Sequence, residues 1–281
     1  MRNEFFEWRH LRIHVQERGE GEPLLLINGL GANTDMWGAL AARFRDRRLL
    51  LFDAPGAGRS MTPAYPMTIP MLAELAVAVL DNRGVDSADV LGYSYGGAVA
   101  QQLAFNYPER IRRLVLAATN CGVGAMLGAA SAMMVLATPF RYYSPTYFNR
   151  NAAALYGGRT ARNTEVRHRM MNSRAKFPPS SLGYTLQILG GACWTSRHFL
   201  HQIEAETLVI SGDDDPLIPV FNAEYLARRI PRATLDIVER AGHLFLCDDA
   251  NHLGDRIRGF LESDASPPRP RSAISSVLAA M

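Results

Sequence analysis

The sequence has few cysteines and almost no lysine. Its 281 residues include three cysteines, Cys121, Cys193 and Cys247, an odd number at irregular spacing. This pattern indicates neither a disulfide framework nor a metal site, and it favours a reducing compartment. Lysine occurs once, at Lys176, so arginine carries nearly all of the positive charge. The net charge of +3 is too small to indicate nucleic-acid binding.

The sequence also lacks a recognisable targeting segment. Charged residues run through the first ten positions, which is not the pattern of a signal peptide. Residues 114–140 carry no charge, but glycine and polar residues interrupt them, so a transmembrane segment is not expected there. These features predict a cytoplasmic protein without a membrane span.

Short apolar runs alternate with helical patterns along most of the chain. Residues 4–17 alternate in the manner of an antiparallel hairpin, and later runs are apolar throughout, as strands buried on both faces are. Strands alternating with helices predict an α/β fold with a mostly parallel central sheet flanked by helices. The expected core strands are residues 23–27, 48–54, 89–92, 113–118, 206–211 and 234–238.

The alternation stops between residues 120 and 204. This segment shows helical fragments and many aromatic and methionine side chains, and residues 121–203 contain nine Arg or Lys residues against one acid, Glu165. We interpret it as a helical cap, or lid, inserted into one core made of residues 1–119 and 205–262. Its arginines are expected either to be solvated or to favour an anionic surface. Residues 263–281 contain three prolines and are predicted to form a flexible tail.

The pattern Gly92-Tyr-Ser94-Tyr-Gly96 follows one of the expected core strands and precedes a helical run. In that context G-x-S-x-G predicts a nucleophile elbow, a sharp turn that exposes the serine hydroxyl. A serine hydroxyl needs a base to accept its proton and a third group to orient that base. The sequence therefore predicts Ser94 as a nucleophile with a histidine and an acid further along the chain.

His243 is the expected base, because it lies in the loop after the last predicted strand. The strand that ends at Ala118 is followed by no carboxylate, so the acid is expected after the next one, at Asp213, Asp214 or Asp215. The remaining histidines lie in the hairpin, the cap or the last helix, and surface positions are expected for them. They are His10, His14, His168, His198, His201 and His252.

These motifs together resemble the α/β-hydrolase family, and more narrowly the intracellular poly(3-hydroxyalkanoate) depolymerases of medium-chain polyesters. The resemblance places the acid at Asp215, leaving Asp213 and Asp214 to shape the turn, and it implies an oxyanion hole made by the N–H groups of Leu30 and Tyr95. Tyr95 is a departure, since those depolymerases usually have tryptophan there. The matching segments are residues 27–33, 53–58, 96–102, 107–110, 114–119, 156–158, 194–196, 212–219 and 242–246.

The resemblance implies a Ser-His-Asp ester hydrolase without cofactor or metal, acting on a hydrophobic ester or polyester and associated with storage granules. Two alternatives remain open from the sequence. The first is a small-molecule carboxylesterase or lactonase with the same residues. The second is a ligand-binding receptor that keeps the three residues but turns over slowly. Oligomeric state is not predicted.

Overall fold

The computed structural model describes residues 1–248 and 253–263. Eight strands form one sheet in the order β1-β2-β4-β3-β5-β6-β7-β8. β1 and β2 are an antiparallel hairpin, β2 pairs antiparallel with β4, and all other pairs are parallel. The strands are β1 (Arg2–Trp8), β2 (Leu11–Arg18), β3 (Pro23–Ile27), β4 (Arg48–Phe52), β5 (Ala88–Tyr93), β6 (Ile111–Ala117), β7 (Glu206–Gly212) and β8 (Ala233–Val238).

Helices cover both faces of this sheet, which explains the unbroken apolar runs. In β3, Leu25 and Ile27 belong to one buried cluster, while Leu24 and Leu26 belong to the other. Alternate side chains of a strand point to opposite faces, so a strand covered on both sides needs apolar residues at every position. The helices of this part are α1 (Gly38–Ala41), α2 (Ile69–Asn82), α3 (Tyr95–Asn106), α10 (Phe221–Arg229), α11 (Phe245–Asp248) and α12 (Leu253–Glu262).

Residues 120–204, which we call the cap segment, connect β6 to β7. The segment is helical in the described structure, and its one β-bridge joins Gly122 to Thr195. The absence of a strand-like pattern thus predicted its local structure correctly. Its helices are α4 (Ala130–Leu136), α5 (Phe140–Tyr143), α6 (Pro145–Tyr156), α7 (Gly158–Arg162), α8 (Thr164–Lys176) and α9 (Ser181–Gly191).

The surface position expected for His14 is wrong. β2 lies inside the sheet between β1 and β4, and the side chain of His14 is fully buried. Its Nδ1 atom lies 2.9 Å from Oδ2 of Asp53, the residue that follows β4. Asp53 also accepts hydrogen bonds from the backbone N–H groups of Thr34 and Arg59. The pair therefore holds together two loops at the carboxyl end of the sheet.

Four of the other histidines, His10, His168, His198 and His201, are exposed as expected. His252 and most of the predicted tail, residues 264–281, lie outside the described residues. Within the described residues, no helix has both the length and the apolar character needed to cross a membrane.

Candidate active site

Ser94 lies on the predicted turn between β5 and α3. Its backbone has φ 54° and ψ −119°, a left-handed conformation that non-glycine residues rarely adopt. The turn is tight because the α3 backbone approaches β3 closely. A Cβ atom at Gly96 would lie 2.2 Å from the carbonyl oxygen of Ile27, so only glycine fits there. The second glycine of the motif thus permits the close approach of α3 to β3.

The structure brings Ser94, His243 and Asp215 into direct contact. Nε2 of His243 lies 3.0 Å from Oγ of Ser94, and Nδ1 lies 2.7 Å from Oδ2 of Asp215. The two residues are buried, with His243 only 3% and Asp215 6% exposed. They follow the carboxyl ends of different strands, which meet at one edge of a parallel sheet. The contacts form a chain from hydroxyl to imidazole to carboxylate.

Asp215 is held in place by the turn in which it lies. Its Oδ1 atom accepts hydrogen bonds from the backbone N–H groups of Leu217 and Ile218, each at 2.9 Å. Its other oxygen, Oδ2, is the one that contacts His243. The carboxylate therefore has both its position and its orientation set by the protein backbone.

The neighbouring Asp214 does not play the part predicted for it. We expected its carboxylate to accept hydrogen bonds from the backbone of its own turn. Instead, Oδ2 accepts one hydrogen bond from the backbone N–H of Gly158, at 3.0 Å, and one from the side chain of Arg162, at 2.9 Å. Both partners belong to the cap segment. Asp214 thus joins the acid turn to the cap, while Asp215 accepts the hydrogen bonds within the turn. Asp213 is exposed.

The backbone of His243 is bound from two sides. Its N–H donates to the carbonyl of Tyr156 in the cap segment at 2.6 Å, and its carbonyl accepts from the hydroxyl of Tyr93 at 2.6 Å. The ring of Tyr156 stacks on the imidazole, with 6.4 Å between ring centroids. Burial raises the pKa of Tyr93 well above its usual value, so this hydroxyl remains a donor. These contacts limit rotation of the imidazole.

The two residues predicted to supply oxyanion donors are both contacted by the cap segment. The carbonyl of Leu30 accepts a hydrogen bond from the hydroxyl of Tyr142 at 2.6 Å. The hydroxyl of Tyr95 donates to the carbonyl of Gln187 at 3.0 Å, and the side-chain oxygen of Gln187 accepts from the N–H of Gly31. Tyr95 is the first residue of α3, where backbone N–H groups have no partner within the helix.

A small cavity of about 30 Å³ lies beside Ser94. It is lined by core residues that include His243 and Leu30 and by five cap residues, of which only Tyr156 lies in a matching segment. The sequence signalled the other four only through the many apolar, aromatic and arginine residues of the cap segment. The five cap residues are Leu136, Arg141, Tyr142, Tyr156 and Arg174. Among the described residues, no group of three or more His, Cys, Asp or Glu side chains is arranged to hold a metal ion.

Cap residues that carried the resemblance contact the core. Nε1 of Trp194 donates to the side-chain oxygen of Gln102 at 2.7 Å, and the hydroxyl of Ser196 donates to Gln101 at 2.7 Å. Both glutamines lie on α3, the helix that begins after Ser94. The backbone carbonyl of Tyr156 and the N–H of Gly158 contact the two loops that carry His243 and Asp215. These cap motifs thus bind the parts of the core that surround Ser94.

Comparison with known proteins identifies the family. The α/β-hydrolase fold model matches residues 22–250. The chain belongs to the α/β-hydrolase family. It is 41% identical, over 255 residues and 89% of both chains, to a poly(3-hydroxyalkanoate) depolymerase of Ectopseudomonas oleovorans. These findings confirm the predicted resemblance and identify the chain as an ester hydrolase.

Two further relatives of this hydrolase have other names. A 3-oxoadipate enol-lactonase of Acinetobacter baylyi is 30% identical over 224 residues, which cover 79% of this chain and 81% of the lactonase. Among solved structures, Est816, described as an N-acyl homoserine lactone degrading enzyme, has a TM-score of 0.77 at 26% identity. The alignment covers 92% of this chain and all of Est816. The same fold and chain length thus occur in proteins named for different substrates.

Proposed function

We propose that this hydrolase is a poly(3-hydroxyalkanoate) depolymerase that cleaves medium-chain polyester or its oligomers through an acyl-enzyme on Ser94. The observation that carries the chemistry is the chain of contacts from Ser94 through His243 to Asp215, at 3.0 and 2.7 Å. The identity of 41% to a named depolymerase supports the substrate class.

In the proposed mechanism His243 acts as base and then as acid. Nε2 takes the proton of Ser94 as Oγ bonds to the ester carbonyl carbon, and the same proton passes to the departing alcohol oxygen as the carbon–oxygen bond breaks. Water then gives a proton to Nε2, attacks the acyl-enzyme and releases the acid, and Ser94 recovers its proton. Asp215 keeps the imidazole oriented and stabilises its charged form.

The N–H groups of Leu30 and Tyr95 are the proposed oxyanion donors. Negative charge develops on the carbonyl oxygen during each attack, and fixed donors stabilise it without reorganising. The contacts of Tyr142 and Gln187 support this role, because they hold the loop of Leu30 and the tyrosine after the nucleophile. When the cap segment lies on the core, its contacts would therefore keep the two N–H donors in position for the oxyanion.

The surface of the cap segment supports contact with a greasy substrate. Several large apolar side chains are exposed there, among them Leu127 at 75% and Met134 at 70%. Met side chains adapt readily to irregular apolar surfaces. We propose that the cap segment is a lid and also the part that contacts the polyester granule. Exposed arginines such as Arg169 would add attraction to an anionic granule surface.

The nucleophile is tested by replacing Ser94 with alanine. Hydrolysis of a p-nitrophenyl ester should fall by at least about 10³-fold, since the covalent step is lost. Ser181, an exposed serine of α9, provides a matched control, and Ser181→Ala should keep full activity. Comparable turnover by Ser94→Ala and wild type would contradict the mechanism. Repeated turnover by the wild type would exclude the slow-turnover receptor.

The substrate is tested by incubating purified medium-chain polyester with the enzyme and measuring soluble 3-hydroxy acids. Their release is expected, and an enzyme that cleaves p-nitrophenyl esters but leaves polymer and oligomers intact would refute the depolymerase assignment.

Granule contact is tested by sedimentation with polyester granules. Leu127→Ser with Met134→Ser should weaken binding, whereas Leu235→Ser, exposed on β8, should not. Equal binding by all three proteins would refute this surface.

A lactonase is the second candidate function, and the size of the cavity favours it. About 30 Å³ beside Ser94 is far below the range of roughly 300–1,000 Å³ typical of ligand pockets. A compact ring requires less displacement of the cap segment than a polymer does. Faster hydrolysis of small lactones than of hydroxyacid oligomers, measured as kcat/KM with the same preparation, would support this candidate over the depolymerase.

A further inference from the structure

Two arginines of the cap segment are buried beside the active site. Arg141 lies on α5 and Arg174 on α8, and they are 3% and 2% exposed. Among the residues that the structure describes, neither side chain forms an ion pair, although most other arginines do. Burying a charge without a counter-charge is expensive. Such a pair calls for an explanation.

Aromatic side chains surround both guanidinium groups. The centre of the Arg141 guanidinium lies 4.7 Å from the ring centroid of Tyr142, and that of Arg174 lies 5.4 Å from the same ring. Arg141 donates to the hydroxyl of Tyr184, and Arg174 donates to the hydroxyl of Tyr156 at 2.5 Å. These contacts stabilise the cations in part, but tyrosine is neutral. Burial raises the pKa of both Tyr142 and Tyr184, so neither becomes an anion at ordinary pH.

Part of the donor capacity of both arginines is unused. The Nε atoms of Arg141 and Arg174 are buried and have no hydrogen-bond partner. Buried polar atoms are nearly always paired, so unpaired ones in two residues that line one cavity point to an absent acceptor. Guanidinium groups offer several N–H donors in a plane, which match the two oxygens of a carboxylate.

The two arginines line the same cavity as Ser94 and His243. Tyr156 connects them, because its ring stacks on the imidazole of His243 while its hydroxyl accepts from Arg174. Tyr142 makes a similar connection, since its ring lies close to both guanidinium groups and its hydroxyl donates a hydrogen bond to the carbonyl of Leu30. An anionic group held by the arginines would therefore belong to the same molecule as an ester bond at Ser94.

We propose that Arg141 and Arg174 form a subsite for a carboxylate carried by the ester substrate. The inference rests on the proposed ester hydrolysis at Ser94 and specifies its substrate class. In a hydroxyacid oligomer that carboxylate is the free carboxyl end, so the enzyme removes units from that end of short chains. The carboxylate would place one negative charge beside the two buried cations and accept hydrogen bonds from their unpaired N–H groups.

Binding to a protein that cannot cleave the ester tests the subsite. In the Ser94→Ala background, the linear dimer of 3-hydroxyoctanoic acid and its methyl ester are titrated by calorimetry. The two ligands differ in the terminal charge and in the single methyl group that removes it. We expect the free acid to bind on the order of 10- to 100-fold more tightly, as hydrogen bonds to charged groups give. Equal affinities would overturn the proposal.

Substitution of the arginines then locates the preference. Arg141→Gln or Arg174→Gln should remove most of the preference for the free acid over its methyl ester. Arg174→Lys should keep part of that preference, because the positive charge remains. Arg169→Gln is the matched control, since Arg169 lies on the same helix with its side chain 62% exposed. For each variant, the affinity for the free acid is divided by the affinity for the methyl ester. A partly unfolded preparation lowers both affinities equally, so this ratio does not change. An unchanged ratio in both Gln variants would also overturn the proposal.

The same ligands separate this proposal from the proposed function. Protein with Ser94 intact is incubated with the dimer methyl ester, which lacks the charge, and release of 3-hydroxyoctanoate is measured. Selective binding of the acid without hydrolysis of any ester would refute the function and leave the carboxylate subsite standing. Hydrolysis of the ester with no preference for the free acid would refute the subsite alone.

Discussion

Replacing Asp215 with asparagine should separate the orientation of His243 from the stability of the fold. Oδ1 of Asp215 accepts hydrogen bonds from the backbone N–H groups of Leu217 and Ile218, and Oδ2 contacts Nδ1 of His243. Asparagine has one acceptor oxygen and one NH₂ group. The two backbone donors require the oxygen at the Oδ1 position, so the NH₂ group must face the imidazole.

That orientation selects the wrong form of the imidazole. A donor facing Nδ1 makes Nδ1 an acceptor, which moves the ring proton to Nε2. Nε2 of His243 then donates to Oγ of Ser94 instead of accepting its proton. In serine proteases the corresponding exchange lowers kcat by about 10⁴-fold, which is about 5 kcal/mol of barrier. We expect a loss of similar size in Asp215→Asn.

The variants Asp215→Asn and Asp215→Ala should differ in their free energy of unfolding. Asp215→Asn keeps an acceptor for both backbone N–H groups, so the free energy of unfolding should change by less than about 1 kcal/mol. Asp215→Ala leaves both buried donors unpaired, which costs about 1–3 kcal/mol for each. The two variants should thus be almost equally inactive but clearly different in stability.

The assay is kcat for a p-nitrophenyl ester, with urea denaturation of the same preparations. Asp215→Asn should show the large loss of kcat with an unchanged denaturation midpoint. Asp215→Ala should show the same loss of kcat together with a lower denaturation midpoint. More than about 1% of wild-type kcat in Asp215→Asn would refute the orienting role. A denaturation midpoint in Asp215→Asn as low as in Asp215→Ala would refute the account of the turn.

Three further substitutions test neighbouring contacts. Gly96→Ala should lower the free energy of unfolding by about 3 kcal/mol in urea denaturation, because its Cβ would lie 2.2 Å from a backbone oxygen of β3. Tyr142→Phe should reduce kcat/KM about tenfold, because the carbonyl of Leu30 loses its hydrogen bond. Asp53→Ala should cost about 2–5 kcal/mol of stability, because two backbone donors and His14 lose their acceptor. Wild-type values in any of these assays would refute the contact concerned.

Local patterns carried much of the information about the elbow and the sheet. The turn at Ser94 could be predicted because glycines at fixed offsets and a strand–helix switch are encoded within ten residues. The core strands could be predicted because burial on both faces requires apolar side chains at consecutive positions. His243 followed from its place after a strand, since the carboxyl ends of parallel strands meet at one edge of the sheet. The same reasoning placed the acid at Asp213, Asp214 or Asp215, and the resemblance selected Asp215.

The roles of polar residues far from these motifs could not be predicted in the same way. His14 looked like a surface residue of a hairpin, but β4 pairs with β2 and buries it. Asp214 bonds to Gly158, 56 residues away along the chain. Neither contact leaves a periodic pattern, because each depends on where a distant segment packs.

The sequence by itself determined the fold class, the nucleophile turn and the order of the three contacting residues, because short-range spacing and strand burial specify them. Tertiary structure alone decided that Arg141 and Arg174 are buried beside Ser94, and that Tyr142 and Gln187 contact the loop of Leu30. An arginine on an amphipathic helix has the same sequence pattern whether solvent or a cavity lies beside it. Only the packing of the cap segment on the sheet distinguishes the two.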